Sequence, residues 1–267
     1  MDTERPNGLI GQDTAQLLSP SDLLLQQEQL HNGKLNLASL QQLLGAMLPQ
    51  EGLPTRDRVR SILNAVGQPQ RLRYIIQSVL ADPEQIEKIA QRSYGHSTGM
   101  ERFEIASYGS FSLRLHYWMP HGESTTEDPH NHVYDFGSKI LHGVMATDFY
   151  TPGDQGLEMN MFQIATQNTQ QKPTPQLIGQ VRLQPISPAS GILFSIDDPP
   201  YTMSHDVIHR VRQGDDQIPI ITLNLRGGAV RDQSTFFRDE TMQSANPTPT
   251  LVDVEDRLGL LLHVLTL

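Results

Sequence analysis

The sequence predicts a mainly β protein, in which a helical N-terminal extension precedes a jelly-roll β-barrel. Three observations carry this. From about Gly95 onward the chain runs as short stretches of alternating apolar and polar residues, separated by turn residues and without helical patterns between them. Before that point, apolar residues recur at i, i+3 and i+4. The 18 prolines and 20 glycines among 267 residues favour many turns over long regular helices. Successive strands without helices to cover them bury a face only by pairing into a sandwich or closed barrel. A sheet closed on itself has an interior able to hold one small ligand.

In chain order, residues 1–18 read as a polar, flexible tail and 19–95 as the helical region. Leu23, Leu24, Leu25 and Leu30 begin the pattern; Leu37, Leu40, Leu43, Leu44 and Met47 resume it after Asn32-Gly33. Thr55 fits an N-cap for a helix through Val59, Ile62, Leu63 and Val66, with Gly67 as its stop. Pro69 opens a helix carrying Leu72, Ile75, Ile76 and Val79, and Asp82-Pro83-Glu84-Gln85 caps another through Ile86, Ile89 and Ala90. Each apolar stripe needs a partner, so these helices are expected to pack on the outside of the barrel.

The barrel region spans 96–240. Strands are expected at Arg102 to Ser107, Phe111 to Met119, Lys139 to Phe149, Met159 to Ala165, Gln176 to Leu183, Gly191 to Ile196, Asp206 to Arg212 and Ile218 to Leu225. Breaks fall at glycines and prolines, among them Gly109, Pro152-Gly153 and Pro199-Pro200. Residues 241–267 form a C-terminal tail and a short helix whose stripe Leu258, Leu261, Leu262, Leu265 docks on the protein or on a second copy, leaving a homodimer open.

Composition excludes several functions. The formal charge is −10, and no basic run is present to meet nucleic-acid phosphates. Without cysteine there can be no disulfide, no Cys-ligated zinc, no iron–sulfur cluster and no thiol nucleophile. No apolar run reaches the ~18–20 residues of a membrane span. The opening Met1-Asp2-Thr3-Glu4-Arg5-Pro6 lacks the blocks of a signal peptide, so a cytoplasmic location is the expectation.

Ten histidines remain as metal-ligand candidates. His130 and His132 flank Asn131, and in extended chain they point the same way about 7 Å apart, a spacing at which two imidazoles can share a metal. A third ligand is available on the later strand at His209 or, four positions earlier and on the same face, at His205. Asp135 can orient a ligand imidazole or cap a turn. Arg102, Arg114 and Arg226 are the cations able to reach a barrel interior and grip a carboxylate in a bidentate fork, and Tyr134 and Tyr117 are phenol donors. Imidazoles alone do not choose between iron, zinc, nickel and copper; a three-histidine site equally suits zinc-assisted hydrolysis or isomerisation.

Over residues 100–230 the chain resembles the cupins, whose first motif places H-x-H, a Glu four or five residues later and then a Gly, and whose second places a His on a later strand. His130-x-His132 and Gly143 fit, while Phe136 or Gly137 stands where the Glu would be. That departure resembles the cysteine dioxygenase branch, which binds ferrous iron, Fe(2+), through three histidines. Trp118, Gly122 and His130-Asn131-His132 resemble its entry motif. Ile208-His209-Arg210-Val211 resembles its L-H-R-V segment, which favours His209 over His205. Thr222-Leu223-Asn224-Leu225-Arg226 aligns with its S-L-H-L-Y strand, and Arg102 precedes Trp118 as that family's carboxylate-binding Arg precedes its own Trp. The resemblance implies a cupin-type jelly roll and a mononuclear iron oxygenase using O2 on a small chelating, carboxylate-bearing metabolite. It implies His130, His132 and His209 as ligands; Arg102, Arg226, Asn224 and Tyr134 against substrate; and Asp135, Thr222 and Trp118 supporting the ligands. Asn224 and Arg226 replace that family's His and Tyr, so free cysteine is not the expected substrate. The other readings are a zinc-dependent hydrolase or isomerase and a metabolite-binding cupin without activity.

Overall fold

The computed structural model describes residues 19, 22, 36–49, 54–95, 100–118, 127–165, 175–189, 191–215, 217–239 and 254–264. The expected tail, the leucines at 23–30, and His31, His96 and His121 lie outside the described residues. The N-terminal region folds into α1 (Leu37–Met47), α2 (Arg56–Val66), α3 (Pro69–Leu80) and α4 (Pro83–Arg92). Their ends are set by local chemistry. Asn36 accepts from the Ser39 amide, Thr55 from Arg58, and Asp82 from both Glu84 and Gln85, so orphan amides of the first turns find side-chain acceptors.

The β region forms two antiparallel sheets. The first has the order β1-β2-β3-β10-β4-β8, with β1 Tyr94–Gly95, β2 Met100–Tyr108, β3 Phe111–Trp118, β4 Tyr134–His142, β8 Tyr201–Met203 and β10 Ile220–Ala229. The second is built on the long β5 (Val144–Ala165), flanked by β6 (Gln176–Pro185), β7 (Ile192–Ser195), β9 (Ile208–Gln213) and β11 (Gln233–Arg238). The non-sequential order, with β10 inserted between β3 and β4, gives a jelly-roll-like fold.

Three expectations are corrected. The run expected as one strand from Lys139 is two, meeting at Gly143, whose φ of 77° turns the chain through a conformation that side chains disfavour. Pro152-Gly153 does not end a strand: pairing to Leu183 jumps from Pro152 to Leu157, so the intervening residues bulge out of a continuous β5. Strands β8 and β11 are additional; both are short and lack clean alternation.

Alternation divides the first sheet into two faces. Phe103, Ile105, Leu113, Leu115, Ile221, Leu223 and Leu225 are buried in one cluster with α1–α4, so the helices cover the sheet from outside. Val254–Val264 forms α5, whose Leu258 and Leu261 are buried in the same cluster. Leu258, Leu261 and Leu262 of the stripe thus dock within the chain, against α3 and α4, and Leu265 lies outside the described residues. The opposite face meets the second sheet, because Met100, Trp118, Ile140 and Ile220 pack with Met145 and Val211. Register places Arg102, His116 and Thr222 in one row across this inner face, and Glu104, Arg114, Asn224 and Ser138 in the next. Among the described residues no helix is long and apolar enough to cross a membrane.

Candidate metal centre

The segment 129–132 is extended backbone laced between two strands. On one side His130 N donates to His209 O at 2.8 Å and His209 N to His130 O at 2.9 Å. On the other, Asn131 N donates to Thr235 O at 2.9 Å and Phe237 N to Pro129 O at 2.8 Å, while the Asn131 side chain accepts from Thr235 N at 2.7 Å. His130 and His209 are therefore directly opposed partners, and opposed residues of antiparallel neighbours share a face. His132, two residues on, projects to that face as well.

The three rings converge. Centroids lie 4.9 Å apart for His130–His132, 4.7 Å for His130–His209 and 5.1 Å for His132–His209, and one nitrogen from each lies within 4.8 Å of the others. Two rings have fixed tautomers. The Nδ1 of His130 donates to Asp128 O at 2.9 Å, and that of His209 to Val207 O at 3.2 Å. A carbonyl can only accept, so each Nδ1 carries a proton, and in the neutral ring Nε2 is left to present a lone pair. Burial lowers the His209 pKa to about 3, assisted by His130 and opposed by the Val207 carbonyl. Burial, then His130 and His209, holds His132 well below the ordinary imidazole range. Neutral imidazoles are the form that binds metal. The donor set, the carbonyl-bonded Nδ1 atoms and the lowered pKa values of His132 and His209 fit a single cation.

Phe136 lies on the same strand face as the histidines. Its ring is 5.0 Å from that of His132, edge-on, and 6.1 Å from that of His209. Gly137 faces the other way, where an added Cβ would sit 2.3 Å from Val59 Cγ1 on α2. Of the two positions that could correspond to a carboxylate ligand, position 136 is the one beside the cluster, and it holds an aromatic ring. The convergent group among the described residues is therefore three imidazoles, and the Glu127 carboxylate lies 4.0 Å from His130 Nδ1, on the edge of that ring bonded to Asp128 O.

Around the cluster, Tyr134 stacks on His132 at 5.1 Å with 20° between planes, and the Arg226 guanidinium lies 4.2 Å from the Tyr134 centroid. Arg226, Asn224, Thr222 and Arg102 all fall on the inner face. Trp118 does too, but in the apolar cluster with Met100 and Ile220. Arg114 pairs with Glu104 at 3.1 Å.

Asp135 is not directed at any of the three rings. It accepts from the His205 amide and from His205 Nδ1, each at 2.7 Å. This ties down the turn before β9 and accounts for His205 standing outside the cluster. The expected role of Asp135 on a ligand ring is corrected accordingly; the turn-capping alternative matches the contacts.

Three further features carried no legible sequence pattern. Arg231 donates to the carbonyls of His132 and, at 2.8 Å, His205, bracing the backbone of one candidate ligand. Arg238 grips Asp128 at 2.8 and 2.5 Å, fixing the residue whose carbonyl orients His130. Phe236 opposes His130 from β11. All three lie in or beside a strand that alternation did not mark.

No protein-family model matches the chain, and no curated protein sequence matches it. Similar solved structures include a cupin superfamily protein from Desulfitobacterium hafniense, 10% identical over 48% of this chain and 77% of that one, with a TM-score of 0.26. An RmlC-like cupin from Shewanella frigidimarina is 8% identical over 53% and 88%, with a TM-score of 0.28. A hydroquinone 1,2-dioxygenase in complex with Cd2+ and 4-hydroxybenzonitrile is 11% identical over 54% and 72%, with a TM-score of 0.28. Each likeness covers about half of this chain at low TM-score, so no activity passes from these proteins to it.

Proposed function

We propose that the protein is a mononuclear, oxygen-dependent iron enzyme acting on a small chelating, carboxylate-bearing metabolite. The observation that supports this reading is the convergence of three imidazoles, two with Nε2 turned inward by backbone carbonyls. Ferrous iron held by His130, His132 and His209 would keep its full charge and open positions for substrate and dioxygen, which is the chemistry the metal supplies. The chain's own residues do the rest. The carbonyls of Asp128 and Val207 hold the ligand tautomers. Phe136 excludes water from one side of the cluster. Arg226, stacked over Tyr134, supplies a positive charge beside it that suits a carboxylate, and Asn224 adds a donor and an acceptor on the same inner face.

Metal analysis of anaerobically purified protein, followed by oxygen uptake with carboxylate-bearing chelators, tests the reading. It predicts about one iron per chain and metal-dependent oxygen consumption. Stoichiometric zinc with hydrolytic activity would replace it by a metal-dependent hydrolase, and a protein that binds metabolite without turnover would replace it by a binding protein.

A further inference from the structure

We infer that Glu127 is a positioning residue of the metal centre, a carboxylate set behind His130 as counter-charge for the cation held in front of that ring. The inference rests on the metal-centre reading above and concerns how the site keeps its metal. Glu127 Oε2 lies 4.0 Å from His130 Nδ1, and the Glu127 side chain is only 10% exposed. That distance is too long for a hydrogen bond, and the Nδ1 proton already goes to Asp128 O at 2.9 Å. The carboxylate therefore acts on the ring through space, from the edge bonded to Asp128 O, with Nε2 left for the metal. Among the described residues no Lys or Arg pairs with it. Elsewhere in the barrel carboxylates have basic partners: Asp128 has Arg238, Asp135 has His205, Glu104 has Arg114, and Asp148 has Arg210 and Arg212.

A carboxylate withdrawn from water without a partner is costly, and a nearby cation offsets that cost. On the other flank of the cluster the charges are positive. Arg226 lies 4.2 Å from the centroid of Tyr134, the ring that stacks on His132, and Arg231 donates to the His132 carbonyl. Imidazole ligands contribute no negative charge of their own. Glu127 and a divalent cation among the three rings thus complement each other. The carboxylate offsets part of the metal's charge without taking a coordination position, and the metal gives the buried carboxylate its counter-ion. The charge of Glu127 is felt in the interior. Burial raises the Tyr201 phenol above its ordinary range, a hydrogen bond with Ser138 opposes this, and Glu127 adds to it. Groups that support a ligand imidazole from outside the coordination sphere strengthen metal binding.

The test measures the Zn2+ affinity of the full-length protein by competition with a chromophoric chelator, together with the Tm of the metal-free protein. Glu127→Gln keeps the shape of the side chain and removes its charge. It should weaken Zn2+ binding about 10-fold. It should also leave the Tm of the metal-free protein equal to or above that of the wild type, because a buried unpaired charge is gone. Glu127→Asp keeps the charge and should bind Zn2+ with an affinity closer to the wild type than to Glu127→Gln. A Glu127→Gln affinity within about twofold of the wild type, or an equal loss in both variants, overturns this inference alone. So does a loss accompanied by a lower Tm or by failure to fold, which would make Glu127 a structural residue. A wild-type protein that binds no Zn2+ overturns the metal-centre reading and this inference with it.

Discussion

At the scale of single residues, the centre separates histidines that are near each other in sequence. His205 and His209 lie four residues apart, yet His205 is tied to Asp135 while His209 is buried among the cluster. Replacing His209 with Ala should therefore remove nearly all bound metal, and His205→Ala should retain it, as measured by metal content after gel filtration. The reverse pattern would reassign the third ligand. Arg231 acts through the backbone instead. Arg231→Met should weaken metal affinity about 10-fold, in the range seen when groups supporting ligands are lost, with Arg231→Lys restoring part of it by competition against a chelator. Arg226 stands on Tyr134 and not on a ligand ring, so Arg226→Met should raise the substrate KM while leaving metal content intact; parallel loss of both would make it a structural residue.

At the scale of elements, two close contacts set how strands meet their neighbours. The absent side chain of Gly137 lets α2 lie directly on β4: a methyl there would meet Val59 Cγ1 at 2.3 Å and Leu63 Cδ1 at 3.0 Å. Gly137→Ala should cost about 1–3 kcal/mol by overpacking. The same substitution should cost less in a Val59→Ala background, a coupling that thermal melts of the four proteins would reveal. Strands β5 and β9 are joined by Asp148, which is buried and accepts from Arg210 at 2.7 and 3.1 Å and from Arg212 at 3.1 Å to each of its oxygens. Burial by itself would raise this carboxyl, but the bonds from Arg212 and Arg210 more than reverse that and hold it below the usual range. A carboxyl depressed by folding stabilises fully above its unfolded value, about 3.9, and loses that contribution as pH falls through the lower folded value. Asp148→Asn should thus cost about 1–3 kcal/mol near neutral pH, a range that allows for the partial exposure of both arginines. The gap in urea midpoint from wild type should narrow only below about pH 4. A gap that is constant down to about pH 3 would show that the charge is not what joins the strands.

For the whole molecule, the helices and the first sheet share one hydrophobic core. Among the described residues, Phe103, Ile105, Leu113, Leu115, Leu223 and Leu225 are covered in that cluster by α1–α4 and the docked α5. A chain beginning near residue 96 should therefore expose a contiguous apolar sheet face and aggregate. Light scattering and a thermal melt check this; a monodisperse truncated protein with unchanged Tm would mean that the helical region is a separate unit.

What the sequence by itself determined follows from short-range chemistry. Helix starts at Thr55 and Asp82 are set by side chains reaching amides two or three residues away, and the apolar spacing of α2 and α3 names the residues that are buried. The pairing of His130 with His132 was legible for the same reason, because alternation along one extended segment fixes a shared face. Tertiary structure alone decided the rest. The sequence left His205 and His209 equivalent in periodicity, and left Phe136 or Gly137 as the occupant of the carboxylate position. Cross-strand register chose His209, and the approach of α2 to Gly137 turned Phe136 toward the cluster. Strand β11, which places Phe236 beside His130 and Arg238 on Asp128, gave no alternating signal because its partners in the sheet, not its own pattern, hold it in place. Periodicity records which face a residue takes within its own segment; which segments face each other is set by long-range pairing.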